Sequence, residues 1–217
     1  MNIEEQLFAL QDRRYREFHK GLVPGMPEDY IIGVRMPALR RLAKEVDKDE
    51  LLSTLPHRYY EKNQLHAIIL SGMKDYARCL AEVERFLPYV DNWATCDGLR
   101  PRCFAKHTGD LLPHIKGWLH AEHEYTVRFG IGLLEAFFLD DAFENGHLQW
   151  VAAIRREEYY IRMMQAWYFA TALAKQWDAA LPVIPSLPEW VRRKAIQKAS
   201  ESFRVSDAHK TMLKSYR

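Results

Sequence analysis

Three segments in the second half of the chain open in the same way. They are Glu124-Tyr125-Thr126-Val127-Arg128, Glu158-Tyr159-Tyr160-Ile161-Arg162 and, one residue shorter, Glu189-Trp190-Val191-Arg192. Their Val-Arg or Ile-Arg pairs recur at intervals of about thirty to thirty-five residues, the period of helical-hairpin repeats. Each opener predicts a long helix, and residues 142–155 and 178–184 predict shorter ones between them. One long and one short helix cannot bury an apolar face alone, so such units stack into a solenoid of the HEAT type. Residues 159–176 are apolar nearly all round, as expected of an element packed between layers. Nowhere does apolar/polar alternation run between hairpin turn signals. The expected fold is therefore all-α: a HEAT-like helical-hairpin repeat solenoid with a concave cleft, forming a single domain over residues 1–217.

The first half reads as helices separated by proline and glycine. Leu7, Leu10, Tyr15 and Phe18 recur at helical spacing and predict one amphipathic helix over residues 2–20. Pro24, Gly25 and Pro27 break it across residues 21–33. Pro37 suits the first turn of the next helix because it has no N–H to lose. Leu39, Leu42, Ala43 and Val46 mark that helix's buried stripe, and Arg35, Arg40, Arg41 and Lys44 crowd elsewhere, as a solvated face or as contacts for an anion. Residues 49–55, 58–73 and 76–89 predict three further helices. Tyr60, Glu61 and His66 lie in the longest of these, and the sequence assigns them no function. Pro101 ends the following helix near Arg100, and Pro113 is expected to begin one over residues 111–119. His120 and His123 stand three apart with no third ligand near, so no zinc site is expected.

Chemistry concentrates in Asp91-Asn92-Trp93-Ala94-Thr95-Cys96-Asp97. Asp91 or Asn92 can cap a helix here. Trp93 and Asp97 then lie one turn apart on one face. An aromatic face beside an anion suits a cation, although a packing Trp and a surface carboxylate would show the same spacing. In a stacked fold Arg128, Arg162 and Arg192 line up on one surface. Each can instead pair with an acid, as Glu124 stands a turn before Arg128 and Glu158 a turn before Arg162. Repetition of one charge sign along one groove favours a long anionic ligand. The net charge of +2 means that such contact must come from a local patch. Residues 1–14 are crowded with charge and form no signal segment. The apolar run 163–174 is interrupted by Gln165 and is too short to span a bilayer. Cys79, Cys96 and Cys103 show no C-x-x-C pairing, which points to reduced thiols and a cytoplasmic protein.

Four stretches together resemble the AlkD-like family of DNA alkylation repair glycosylases, which are built from HEAT-like repeats. They are Ile32-Gly33-Val34-Arg35-Met36-Pro37-Ala38-Leu39-Arg40, the Trp93-x-x-x-Asp97 segment, Val127-Arg128-Phe129-Gly130-Ile131, and Tyr160-Ile161-Arg162-Met163-Met164-Gln165-Ala166-Trp167. The resemblance implies a monomeric, monofunctional enzyme that binds double-stranded DNA with alkylated bases, uses no cofactor or metal, and touches no membrane. It would hydrolyse the N-glycosidic bond of cationic N3- or N7-alkylated purines. By position it assigns Trp93, Asp97, Arg128 and Trp167 to the catalytic cleft, and Arg35, Arg40, Arg162, Arg192 and Arg193 are the accompanying DNA contacts. A family tyrosine near the N-terminus finds Tyr15 and Tyr30 nearby. Two other readings suit the same scaffold: a non-catalytic HEAT-like binder of DNA structures, and a protein-interaction module.

Overall fold

A computed structural model describes residues 2–216. Among them every regular element is a helix. The chain divides into two compact units, Met1–Lys106 and His107–Arg217. No described helix is long and apolar enough to cross a membrane.

The first unit comprises α1 (Ile3–Ala9), α2 (Arg13–Lys20), α3 (Met36–Leu42), α4 (Lys48–Ser53), α5 (Tyr60–Gly72), α6 (Tyr76–Phe86) and α7 (Trp93–Gly98), with short 3-10 turns between some of them. Helix α5 is its centre, with α1, α3, α4, α6 and α7 all packed against it. Leu65, Ala67, Ile69 and Leu70 supply apolar core, yet Glu61, Asn63, Gln64 and His66 on the same helix are also buried. Buried polar groups are tolerated only when they find partners, and most of these link α5 to its neighbours. Gln64 Nε2 donates to Thr95 Oγ1 of α7 at 3.0 Å. His66 Nδ1 meets His57 Nε2 at 2.9 Å, and Phe86 stacks on the His66 ring at 4.0 Å. Burial drives the His57 pKa down to about 4 and that of His66 to about 3.

The single helix expected over residues 2–20 is two helices. Asp12 caps α2 by accepting the Tyr15 N–H at 2.9 Å, and its own N–H donates to the Gly33 carbonyl at 2.9 Å. Gln11 Nε2 donates to the Ile32 carbonyl at 2.8 Å. The break is thus pinned by a loop some twenty residues further on. Leu10 and Phe18, expected on the buried stripe, are exposed.

The second unit comprises α8 (Thr108–Trp118), α9 (Glu124–Phe137), α10 (Asn145–Ala153), α11 (Tyr159–Lys175), α12 (Trp177–Ala180), α13 (Glu189–Glu201) and α14 (Asp207–Leu213). Helices α8, α9, α11 and α13 pack in succession, each against the next. This is the helical-repeat stacking that the openers predict. Gly130 allows the closest approach: a Cβ there would stand 3.2 Å from Leu119 Cδ2 and 3.4 Å from Trp118 Cβ. Gln165, which interrupts the apolar run of α11, donates from Nε2 to the Val151 carbonyl at 2.9 Å and so ties α11 to the end of α10. Two expectations need correction. Pro113 lies inside α8, which starts at Thr108; the carbonyl left without a donor belongs to exposed Gly109, where water can serve it. Residues 178–184 are mostly a 3-10 segment, Leu181–Ser186, because Pro182 and Pro185 remove α-helical donors.

Candidate nucleic-acid interface

Helix α7 presents Trp93 and Asp97 in the first unit. Asn92 is its N-cap: Asn92 Oδ1 accepts the Thr95 N–H at 2.8 Å, and Asn92 Nδ2 donates to Thr95 Oγ1 at 3.0 Å. The far end is tied to α5, because Ser71 Oγ donates to the Gly98 carbonyl at 3.1 Å and accepts the Arg100 N–H at 2.9 Å. Trp93 is half-buried, with its indole Nε1 donating to the Leu22 carbonyl at 2.9 Å. Asp97 is exposed one turn further along. A fixed indole edge and an exposed aspartate therefore stand one turn apart on a helix anchored at both ends.

The loop that meets α7 is itself held rigidly. Val23 and Ile31 form a buried cluster with Tyr60, against which Met26 and Ala94 pack. Fully buried Glu61 accepts three backbone N–H groups: Gly33 at 2.7 Å, Ile32 at 2.9 Å and Val34 at 3.2 Å. Burial pushes its pKa up, and the three amide donors act against that by favouring the carboxylate. Gly33 takes a positive φ of 94°, and a Cβ there would lie 2.5 Å from Arg16 Cβ, so only glycine fits. This answers the sequence's silence on Glu61: its role is to position the 32–34 loop. Beside it Arg35 Nε donates to Asp12 Oδ2 at 2.8 Å, and its guanidinium lies 4.9 Å from the centre of the Tyr15 ring. The Tyr15 N–H and Arg35 hold the Asp12 pKa below its ordinary value. Arg40 is exposed and makes no ion pair with a described residue.

In the second unit the openers form a ladder. Arg128 on α9 is buried; its Nη1 donates to the Tyr160 carbonyl at 2.8 Å, and its guanidinium lies 5.9 Å from the Tyr160 ring centre. Arg162 on α11 lies 4.9 Å from the centre of the Trp190 ring. Tyr160 stands two residues before Arg162, and Trp190 two before Arg192, so each arginine rests on the equivalent aromatic of the next opener. The nearby acids serve other partners as well: Glu124 Oε1 accepts the Tyr160 N–H at 3.1 Å, Glu158 pairs with Arg156, and Glu157 pairs with Arg162 at 2.8 Å. Arg192 is half-buried, and its Nε has no hydrogen-bond partner among the described residues. Arg193 is exposed, with a loose 3.7 Å contact to Glu189. Arg192, Arg193, Lys194, Trp190, Glu189 and Gln197 line a groove of about 1000 Å³ along α13. Trp167, expected in the cleft, is 46% exposed, with Lys198 Nζ 3.6 Å above its ring centre. Burial lowers the Lys198 pKa.

Sequence reasoning missed Lys198 and the buried state of Arg128. The spacing of Trp167 and Lys198, on helices α11 and α13 a repeat apart, was the available signal for the first.

The all-helical architecture, with hairpins stacked in succession in the second unit, defines a helical-repeat protein. The sequence pattern described as DNA alkylation repair enzyme matches residues 3–199, and the chain belongs to that family. No curated protein matches the chain. The family assignment supports a role in DNA repair.

Proposed function

We propose that the protein is a monofunctional DNA N-glycosylase that releases purines alkylated at N3 or N7. The observation that carries this reading is the presentation of Trp93 and Asp97, one turn apart on a helix pinned at both ends, with Asp97 on the exposed side. Alkylation makes the base a cationic leaving group, so little proton donation is needed. Positive charge develops on the deoxyribose as the glycosidic bond breaks. A carboxylate about 4 Å from that charge contributes on the order of 4 kcal/mol at an effective dielectric near 20, reached once bound DNA displaces water from Asp97. This is roughly a thousandfold in rate where the contact is made only in the transition state. Asp97 also accepts a hydrogen bond from the attacking water and orients it. The Trp93 ring adds cation–π attraction of about 0.5–2 kcal/mol.

The second unit contributes positioning. Trp167 offers an exposed indole already bearing one cation. Arg128 fixes the first turn of α11 through the Tyr160 carbonyl, and exposed Arg193 suits a phosphate contact that holds register without reading sequence, as exposed Arg40 does in the first unit. The engagement of Arg128 with protein also favours a second reading, DNA binding without base release. Incubation with methylated duplex DNA separates the two. Free 3-methyladenine and 7-methylguanine above the spontaneous rate support the glycosylase; salt-sensitive binding with no free base at any protein concentration supports the second reading.

A further inference from the structure

Of the cations described over aromatic rings, Lys198 sits nearest. Its Nζ is 3.6 Å from the centre of the Trp167 ring, where Lys116 stands 5.4 Å from that of Trp150. Trp167 is an exposed indole on α11, and Lys198 reaches it half-buried from α13. No described carboxylate forms an ion pair with this ammonium. Glu201 stands three residues on, a spacing at which helical side chains meet, yet it is engaged elsewhere: Gln197 Nε2 donates to Glu201 Oε1 at 2.9 Å, and Gln197 Oε1 accepts from Lys194 Nζ at 3.1 Å. Burial lowers the Lys198 pKa, and Glu201 opposes this only from a distance. Arg162 differs, because over the Trp190 ring it also pairs with Glu157. The charge of Lys198 is therefore met by a ring and not by an acid.

Such a contact is easily exchanged. The quadrupole of an indole open to water attracts an ammonium less than a full negative charge at the same distance does. Lys194 precedes Lys198 by one turn on the same face, and it lines the α13 groove together with Arg192 and Arg193. A phosphate held by Lys194 lies about one helical pitch, ~5.4 Å, from Lys198, within reach of a flexible four-carbon stem.

We propose that Lys198 is a resident cation that covers the face of Trp167 in the free protein and moves to a backbone phosphate when DNA binds, opening the ring to the positive charge of a damaged nucleotide. This exchange rests on the DNA-binding reading above and adds to it a positioning residue outside the Trp93–Asp97 pair. Replacing one cation by another keeps the attraction at the ring and adds an ion pair with the backbone. A neutral nucleotide forfeits the first of these gains.

The test follows Lys198 directly, by NMR of the full chain labelled with 13C-lysine. In the free protein its ε-CH2 signal should be shifted upfield by the indole ring current; the signal should be missing in Lys198→Arg and return to the ordinary lysine position in Trp167→Leu. Saturation with a duplex carrying a cationic pyrrolidine in place of one deoxyribose should move the signal of the unmodified protein to that ordinary position. Anisotropy titrations then compare this duplex, fluorescein-labelled, with one carrying a neutral tetrahydrofuran at the same place. Lys198→Met should weaken binding to both alike and lower the salt slope by about one. Trp167→Leu should reduce the preference for the pyrrolidine duplex about fivefold, as expected for loss of one cation–π contact. A signal that stays upfield in the saturated complex, or an unchanged salt slope for Lys198→Met, overturns the exchange alone. A pyrrolidine preference undiminished in Trp167→Leu overturns the entry of a second cation onto the ring. Failure of the unmodified protein to bind either duplex overturns the exchange together with the reading beneath it.

Discussion

The two units of this protein fix their shapes by different means. In Met1–Lys106 the central helix α5 carries buried polar groups outward to distant segments: Glu61 to the 32–34 loop, Gln64 to α7, His66 to His57. In His107–Arg217 the helices follow one another in a stack, and each arginine of the series lies on the aromatic of the next opener. The first arrangement depends on single contacts between residues far apart in sequence. The second repeats one modest contact. Loss of a partner in the first leaves a buried group unsatisfied, whereas loss of the Trp190 rung in the second removes an attraction between half-buried groups.

That contrast can be broken or sharpened by substitution. The largest expected effect is chemical: Asp97→Asn should slow single-turnover release of 7-methylguanine roughly a thousandfold with DNA affinity little changed, and an unaltered rate would remove Asp97 from the reaction. Gly33→Ala should destabilise the first unit by about 3 kcal/mol or more, because its left-handed backbone and its contact with Arg16 both exclude a Cβ; urea titration reads this. Glu61→Gln should cost about 3 kcal/mol, since an amide cannot accept all three N–H groups and turns a donor toward them. Neutral variants here would mean that the 32–34 loop is held by other contacts.

Acid should act on the same unit. Unfolded histidines take up protons below pH 6.5, while folded His57 and His66 resist until pH falls to about 4 and about 3. Stability from this pair is therefore fully present above pH 6.5 and is lost as pH falls, toward 4 for His57 and toward 3 for His66. The loss is on the order of 2 kcal/mol per imidazole at pH 5. Urea midpoints at pH 7 and pH 5 should show it, and substitution of both histidines by residues that do not titrate should flatten the difference. The smallest effect belongs to the ladder: Trp190→Leu should cost about 1 kcal/mol by removing the ring beneath Arg162. A loss as large as that of Glu61→Gln would erase the distinction between the units.

The second unit was the more legible in sequence because its order is local and periodic. The openers at Glu124, Glu158 and Glu189 do start α9, α11 and α13, and Asn92 does cap α7. The misread places are those where a distant contact overrides local pattern. The 2–20 stretch has a helical stripe, but Gln11 and Asp12 bond to the 32–33 backbone and split it. Glu61 looked without purpose because its partners lie nearly thirty residues earlier. For the candidate site, spacing placed Trp93 and Asp97 on one helical face, and the family resemblance supplied their roles. Spacing could not show that Arg128 is buried against the Tyr160 carbonyl, or that Lys198 covers Trp167.

The ladder has a direction. Arg128 leans on Tyr160 and Arg162 on Trp190, but among the described residues no ring lies beneath Arg192. A fourth hairpin with the same opener, spliced after α13, would therefore meet a half-made joint, while one inserted earlier would have to undo a finished one.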